Sequence, residues 1–102
     1  MVYEVVIAPR AIDDLEAIVL YISPDRPEAA RRLAMALVAR AKTLSSFPHT
    51  GRVVPEFDRQ EIRELILPPY RIVYRIDEAK KQVGVARFWH GARAAIATAD
   101  LG

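Results

Sequence analysis

The residues of this chain that could bind or process an anionic group lie mainly between Arg63 and Arg93. Arginine predominates there, and its planar guanidinium group can donate two hydrogen bonds at once to a phosphate or a carboxylate. Trp89 could add a flat surface on which a nucleic-acid base stacks. We expect these side chains to form one basic functional face, called the basic set below: Arg63, Arg71, Arg75, Arg87, Trp89 and Arg93.

His90 follows Trp89 directly and is the residue of this segment best suited to proton transfer. Metal-free RNA cleavage needs a group that takes the 2′-OH proton, a cation that stabilises the phosphate and a donor to the leaving 5′ oxygen. His90 could act as acid or base, with Arg71, Arg87 or Arg93 as the cation. The alternative is a structural role, which is the more frequent one for a single histidine at the end of a strand.

An alternating pattern predicts the strands that would position these side chains. The apolar side of the first strand would carry Tyr70, Ile72, Tyr74 and Ile76, and its basic side Arg71, Val73 and Arg75. A second alternating run from Val83 to Trp89 follows the polar segment 77–81, so the two runs predict an antiparallel hairpin. The segment that begins at Ile62 predicts a further strand before them.

The expected register of this hairpin decides whether the arginines face each other. It pairs Ile76 with Gln82, Tyr74 with Gly84, Ile72 with Ala86 and Tyr70 with Phe88. Arg71 then lies opposite Arg87, with Arg75 two residues along. Like charges in these positions destabilise a sheet by up to about 1 kcal/mol, so their presence favours an anionic partner. The alternatives are neutralisation by Glu61, Glu64 or Glu78, or a one-residue slip in register that scatters the cluster.

The first half of the chain predicts one strand and two helices. Residues 2–8 are rich in β-branched and aromatic side chains, and Pro9 suits the first turn of a helix that should end near Ser23 and Pro24. Asp25 and Glu28 resemble a capping box at the start of a second helix. The core side of that helix is expected to hold Ala30, Leu33, Leu37, Ala41 and Leu44.

These elements predict a single α+β domain over residues 1–102, in the order β-α-α-β-β-β. The two helices should form an antiparallel hairpin, with a three-stranded antiparallel meander packed on it. Two prolines and a glycine predict an ordered loop at 45–58, and residues 92–99 could form a short last helix.

Composition excludes several classes of function. The chain contains no cysteine and only two histidines, 41 residues apart, so we expect no metal site, and no cofactor-binding motif occurs. No apolar run could span a bilayer and the start does not resemble a signal peptide, so we expect a cytoplasmic protein without membrane contact. Residues 52–93 hold nine bases and six acids, which favours nucleic acid or an acidic protein as partner. A GC-rich genome would also enrich arginine.

Several segments, taken in order, resemble the RelE/ParE superfamily of bacterial toxins from type II toxin–antitoxin modules. They cover nearly the whole chain and read AIDDLEAIVLYIS, PEAARRL, FPHTGRVVPEF, IRELILPPYRIVYRI and RFWHGAR. This resemblance implies growth arrest or plasmid stabilisation as the biological role. It also implies a cognate antitoxin that forms a hetero-oligomer with the toxin, for which exposed apolar positions such as Leu20, Val38 and Leu67 are candidate contacts.

The superfamily has two branches, which differ in target. The RelE-like branch is a ribosome-dependent endoribonuclease (mRNA interferase), and Arg71, His90 and Arg93 are the catalytic candidates that this resemblance implies. Ile62 and Glu64 fall where that branch tends to place lysines, and no tyrosine follows Tyr74, so its machinery looks incomplete here. The ParE-like branch poisons DNA gyrase without hydrolytic residues, and IREL, YRIVYRI and HGAR resemble it more closely. We therefore expect a ParE-like gyrase inhibitor, with the nuclease as the alternative.

Overall fold

The computed structural model describes residues 2–102 as two helices packed on one face of a five-stranded mixed sheet. The order of strands across the sheet is β1-β5-β4-β3-β2. This arrangement confirms the predicted α+β fold. The elements are β1 (Glu4–Ile7), α1 (Pro9–Ile22), α2 (Pro27–Lys42), β2 (Arg52–Val53), β3 (Ile62–Leu67), β4 (Tyr70–Asp77) and β5 (Gln82–His90).

Both helices begin at a proline, where the missing N–H needs no partner. Helix α1 ends at Ile22, just before Ser23, as the sequence predicts. The predicted capping box is wrong, because Arg26 is the N-cap of α2 and provides no side-chain hydrogen bond. With Asp25 as the N-cap, α2 would begin at Arg26, but it begins at Pro27, one residue later.

The sheet contains the predicted antiparallel meander of β3, β4 and β5 and two further pairings. β1 lies parallel to β5, from Glu4 beside Gln82 to Ile7 beside Val85. The loop predicted at 45–58 contributes β2, a two-residue strand antiparallel to β3 that sequence reasoning missed. Its residues are too few to show an alternating pattern.

The predicted register of the β4–β5 hairpin is wrong by one residue near the turn and by two residues beyond a bulge. Asp77 pairs with Gln82, which shortens the loop to residues 78–81, and an irregularity between Val73 and Tyr74 shifts the pairing again. A bulge of this kind adds one unpaired residue to one strand. As a result, Arg71 lies opposite Trp89 and Arg87 lies opposite Val73, so the two arginines do not face each other.

The main core lies between the helices and the face of the sheet that they cover, called the helix face below. Helix α2 contributes Leu37 and Ala41, which are fully buried, as the predicted stripe of apolar residues requires. The strands contribute the apolar side predicted for β4, together with residues of β3 and β5: Leu65, Tyr70, Ile72, Tyr74, Ile76, Val83, Val85 and Phe88.

Tyr74 also fastens the loop after α2 to the sheet. Its buried hydroxyl accepts a hydrogen bond from Gly51 N at 2.9 Å and donates one to Pro48 O at 2.7 Å. A Cβ atom at position 51 would clash with this hydroxyl and with the carbonyl oxygen of Glu64, so the close approach requires glycine. This loop positions β2 and the residues that follow it.

The opposite face of the sheet, called the far face below, is covered as well. A second apolar cluster joins strand residues Val73 and Trp89 to Val54 from the loop and Ile96 from the C-terminal segment. That segment ends in a 3₁₀ helix at Thr98–Leu101, later than the helix predicted at 92–99, and the carboxylate of Asp100 caps it by accepting the N–H of Ala97 at 2.7 Å. Val73, on the side of β4 predicted to be basic, is therefore fully buried.

Within residues 2–102, neither helix has the length and apolar character needed to cross a membrane. Those residues also contain no group of three or more His, Cys, Asp or Glu side chains placed to hold a metal ion.

Candidate functional site

Arg71 lies at the centre of an ion-pair network on the far face. Its Nη1 and Nη2 atoms each donate to one carboxylate oxygen of Glu56 at 2.9 Å, and its Nε donates to Glu64. The side chain of Glu64 is completely buried, and its second oxygen accepts from Nε of Arg52 at 2.6 Å. Every nitrogen of the Arg71 guanidinium group therefore donates to an internal carboxylate.

Glu56 and Arg71 stabilise each other's charged forms. Hydrogen bonding from Arg71 lowers the pKa of Glu56 from 4.5 to about 2, although partial burial opposes the shift. Hydrogen bonding to Glu56 in turn raises the pKa of Arg71. Both groups are charged near neutral pH, and Glu56 also accepts the backbone N–H of Ile96 at 3.3 Å. The network thus holds the C-terminal segment onto the far face.

Arg87 is neutralised separately, by Asp14 from helix α1. Its Nε and Nη2 atoms donate to the two oxygens of Asp14 at 2.7 and 2.8 Å, and this pairing raises the pKa of Arg87. Asp14 also accepts the backbone N–H of Phe88 at 3.0 Å. That N–H lies beyond the last residue of β5 that pairs with β1, where the edge of the strand is open. The ion pair therefore docks α1 on the edge of the sheet.

The other members of the basic set occupy different surroundings. Arg63 pairs with Tyr74 on the helix face and donates to the carbonyl oxygens of Gln60 and Gly51, both at 2.9 Å. Arg75 is exposed, and its side chain makes no hydrogen bond or ion pair within residues 2–102. The basic set is therefore divided between the two faces of the sheet.

Trp89 and Arg93 pack together at the end of β5. Trp89 is only 3% exposed, and its Nε1 donates to the carbonyl oxygen of Ala94 at 3.2 Å. The guanidinium carbon of Arg93 lies 3.9 Å from the centre of the indole ring, a cation–π contact. Trp89 is therefore a buried structural residue in this conformation, and the predicted stacking of a base on its ring would require Arg93 to leave.

His90 lies on the helix face, opposite to Arg71. It pairs with Tyr70, and the two rings meet edge to face with centroids 5.2 Å apart. Its Nδ1 accepts the backbone N–H of Ala92 at 3.0 Å. Among the three catalytic candidates, His90 and Arg93 line one cleft at the end of the sheet, whereas Arg71 belongs to the far face. The structure does not assemble the three around one position.

A family model described as the ParE toxin of type II toxin–antitoxin systems matches residues 5–95. This chain belongs to the RelE/ParE superfamily of type II toxins. Two toxins of Caulobacter vibrioides are similar in sequence: Toxin RelE2, 39% identical over 82% of this chain and 90% of the relative, and Toxin RelE1, 31% identical over 89% and 96%.

Solved structures of toxin–antitoxin systems share the fold of this toxin. The chromosomal ParDE system from P. aeruginosa matches with a TM-score of 0.73 at 22% identity, covering 87% of this chain and 96% of the other. The RelBE2 complex from Mycobacterium tuberculosis matches with a TM-score of 0.66 at 24% identity, covering 88% and 99%. At these identities the likeness concerns the fold alone.

Of the carboxylates that pair with Arg71 and Arg87, the sequence predicted Glu64 but not Glu56 or Asp14. The other two candidates pair elsewhere: Glu61 with Arg59, and Glu78 with His49 and Lys81. Glu56 and Asp14 had no local signal, because each reaches its arginine from a loop or helix distant in sequence. Tyr21 and Tyr70, which line the cleft of His90, carry no motif either.

Proposed function

We propose that this toxin is ParE-like and arrests growth by binding and inhibiting DNA gyrase. The observation that carries the proposal is the separation of the groups that a nuclease would need. Arg71 is saturated by Glu56 and Glu64, and His90 projects from the other face of the sheet. A general acid or base beside a free cation is therefore lacking on the far face, whereas inhibition by binding needs neither. The match to the ParE toxin model agrees with this branch.

Within the basic set, Arg75 and Arg93 are the members we propose for contact with the target. Neither guanidinium group has an ion pair or side-chain hydrogen bond within residues 2–102. A cation that is not already paired loses less when an anionic partner replaces water around it. Arg71 and Arg87 would first have to release internal carboxylates, so we assign them to stabilising the fold in the free toxin.

We further propose that a cognate antitoxin covers the outer surface of α1 in a hetero-oligomer. Ile12 and Leu20 are 45% and 72% exposed and lie two turns apart on that helix, beside a shallow apolar groove lined by Leu15 and Val19. An amphipathic segment can bury such a stripe. Of the other candidate contacts, Val38 is half-buried and Leu67 packs against the main core, which leaves Leu20 as the best placed.

The second candidate function is ribosome-dependent cleavage of mRNA. It is favoured by the 39% identity to a toxin named RelE2. In this case His90 would serve as acid or base with Arg93 beside it, and Arg71 would join them only after Glu56 withdraws. A nuclease of this kind would be covered by its antitoxin on the same outer surface of α1.

Induction of the toxin without antitoxin in a bacterial host separates the two candidates. We expect breaks in chromosomal DNA with an SOS response, and we expect the His90→Gln variant to arrest growth as the natural chain does. The variant Arg75→Ala combined with Arg93→Ala should relieve the arrest, while Arg31→Ala, on the exposed side of α2, should not. Transcript cuts at the ribosomal A site that disappear in His90→Gln would overturn the gyrase proposal in favour of the nuclease. Harmless expression of folded protein would overturn both.

A further inference from the structure

The two edge strands of the sheet differ in how well they are protected against further pairing. At one edge, β2 has only two residues, and the charged side chain of Arg52 is 61% exposed there. At the other edge, β1 has four residues, Glu4–Ile7, of which three are β-branched, and it contains no proline and no bulge. Short or charged edge strands discourage pairing with another chain, whereas a regular apolar edge strand favours it. The edge of β1 is therefore where another strand can extend this sheet.

Two residues of β1 direct their backbone groups away from the sheet. The N–H groups of Glu4 and Ala8 donate to carbonyl oxygens of β5 and of the residue before it, both at 2.9 Å. Since successive residues of a paired strand alternate in direction, the N–H and C=O groups of Val5 and Ile7 point outward. In the described part of the chain, β1 pairs only with β5, so this outer side has no partner strand.

The open stretch of this edge is centred on Val6. At one end of the stretch, the N–H of Tyr3 already donates to the carbonyl oxygen of Ser45 at 2.8 Å. At the other end, Pro9 has no N–H and begins α1. The positions free to pair therefore run from residue 4 to residue 8 and are symmetric about Val6. Such a segment can pair in antiparallel with a second copy of itself about a two-fold axis.

Val6 lacks an apolar neighbour within its own sheet. Because Val5 and Ile7 pack against the main core, Val6 projects from the far face, where it is 42% exposed. Its neighbour on β5 is Gly84, at which an added Cβ atom would meet nothing within 4 Å. In the two-fold arrangement, Val6 of the partner subunit lies directly opposite, with the two Cβ atoms about 5 Å apart. Each valine then buries apolar area of the other.

The same register is complementary in charge and in hydrogen bonding. It places Glu4 opposite Ala8 of the partner subunit and next to Arg10 of the partner subunit. Both charged side chains are exposed, and Arg10 extends towards the far face, where its Nη1 donates to the carbonyl oxygen of Ala99 at 2.8 Å. Val5 of each copy exchanges two backbone hydrogen bonds with Ile7 of the other.

We propose that two copies of the free toxin associate through antiparallel pairing of their β1 strands, which joins the two sheets about a two-fold axis at Val6. The residues that form this interface belong neither to the basic set nor to the apolar positions of α1 assigned to the antitoxin. The inference therefore goes beyond the gyrase proposal and does not depend on it.

Sedimentation equilibrium of the purified full-length toxin over a range of concentrations measures this association. We expect the natural chain to reach twice the mass of one chain. Val6→Lys places two ammonium groups opposite each other at the axis and should raise the dissociation constant by about tenfold or more. The matched control is Ile66→Lys, because Ile66 is 40% exposed on the far face but lies in β3, and this variant should associate as the natural chain does.

Introduced cysteines test the register. The natural chain contains no cysteine, so Val6→Cys has a single thiol in each copy. The proposed axis brings the two thiols within reach of a disulfide bond. We expect oxidation in air to convert most of Val6→Cys to a covalent dimer, whereas Ile66→Cys should remain largely uncrosslinked.

A charge exchange tests the contact between Glu4 and Arg10. Glu4→Arg should raise the dissociation constant several-fold, because it places two cations next to each other at both ends of the interface. Glu4→Arg combined with Arg10→Glu should restore the dissociation constant of the natural chain. A merely structural role of Glu4 would not give this recovery.

A natural chain that is monomeric at every concentration would overturn the proposal. If Val6→Lys then also abolished neutralisation by the coexpressed antitoxin, the edge would be occupied by a strand of the antitoxin instead. A dimer that Val6→Lys leaves intact, or that Val6→Cys does not crosslink, would place the interface elsewhere and also overturn the proposal. Circular dichroism of each variant excludes unfolding as the cause.

Discussion

On the helix face, twelve buried apolar residues from α1, α2, the segment after α2 and the strands form one continuous core. On the far face the buried apolar cluster has five residues, and the centre of the sheet is occupied instead by Glu64 and the arginines that pair with it. The helix face gains its stability from non-directional burial of apolar area, whereas the far face depends on charged groups whose loss leaves a buried partner unsatisfied. An arginine on such a strand can therefore stabilise the domain and present no free cation, as Arg71 does.

The largest expected loss of stability tests whether the apolar core of the helix face contributes more to the free energy of unfolding than the cluster of the far face. Leu37→Ala should reduce the free energy of unfolding by about 4 kcal/mol, because this fully buried side chain lies between the helix and the sheet. Ile96→Ala should cost only about 2 kcal/mol, because the C-terminal segment can shift to fill the smaller space. Urea denaturation followed by circular dichroism measures both. Equal losses, or a greater loss for Ile96→Ala, would refute the ranking of the two faces.

The next effect tests whether the far face depends on its buried carboxylate. Glu64→Gln should destabilise the toxin by about 3 kcal/mol, because the amide nitrogen would oppose the donors of Arg52 or Arg71. The control is Glu61→Gln, whose side chain is 39% exposed and pairs with Arg59 at the surface, for which little change in stability is expected. If both variants unfold at the same urea concentration, the network contributes no more than a surface ion pair.

Acid titration tests the contribution of Glu56. The pKa of its carboxyl group is about 2 in the folded toxin and 4.5 without partners. The unfolded chain therefore takes up this proton first, so the stabilisation present above pH 4.5 is lost as the pH falls from about 4.5 to about 2. The loss should be about 2 kcal/mol, reduced from the full value of the pKa shift because the pair is partly exposed.

The matched variants for this titration are Glu56→Gln and Glu16→Gln. The first should be less stable than the natural chain at pH 7, and the difference should shrink towards pH 3. The second changes an exposed residue of α1 and should preserve the acid dependence. A Glu56→Gln variant with the same acid dependence as the natural chain would show that this carboxyl group is not strongly coupled to Arg71.

The sequence predicted most of the fold because its signals are local. Pro9 and Pro27 mark the starts of the helices, the stripe through Leu37 marks the core side of α2, and alternation along 70–76 marks the apolar side of β4. The register of the hairpin was harder to predict from the sequence, because a four-residue loop and a bulge together displaced the pairing. That displacement moved Arg71 away from Arg87 and so changed the interpretation of the basic set.

The candidate site was less predictable than the fold because its decisive contacts are distant in sequence. Asp14 reaches Arg87 across 73 residues, and Glu56 reaches Arg71 from an irregular loop. Composition identified a surplus of arginine but not the carboxylates that neutralise it. His90 was correctly placed at the end of β5, yet the face from which it projects depends on the register.

The most direct test of the central proposal uses purified components. We predict that the toxin, added to DNA gyrase with plasmid DNA and ATP, traps DNA that is cleaved and covalently linked to gyrase. In parallel, translating ribosomes treated with the toxin should retain intact mRNA. The contrary result, cleavage of mRNA at the ribosomal A site without any trapped gyrase complex, would contradict the gyrase account.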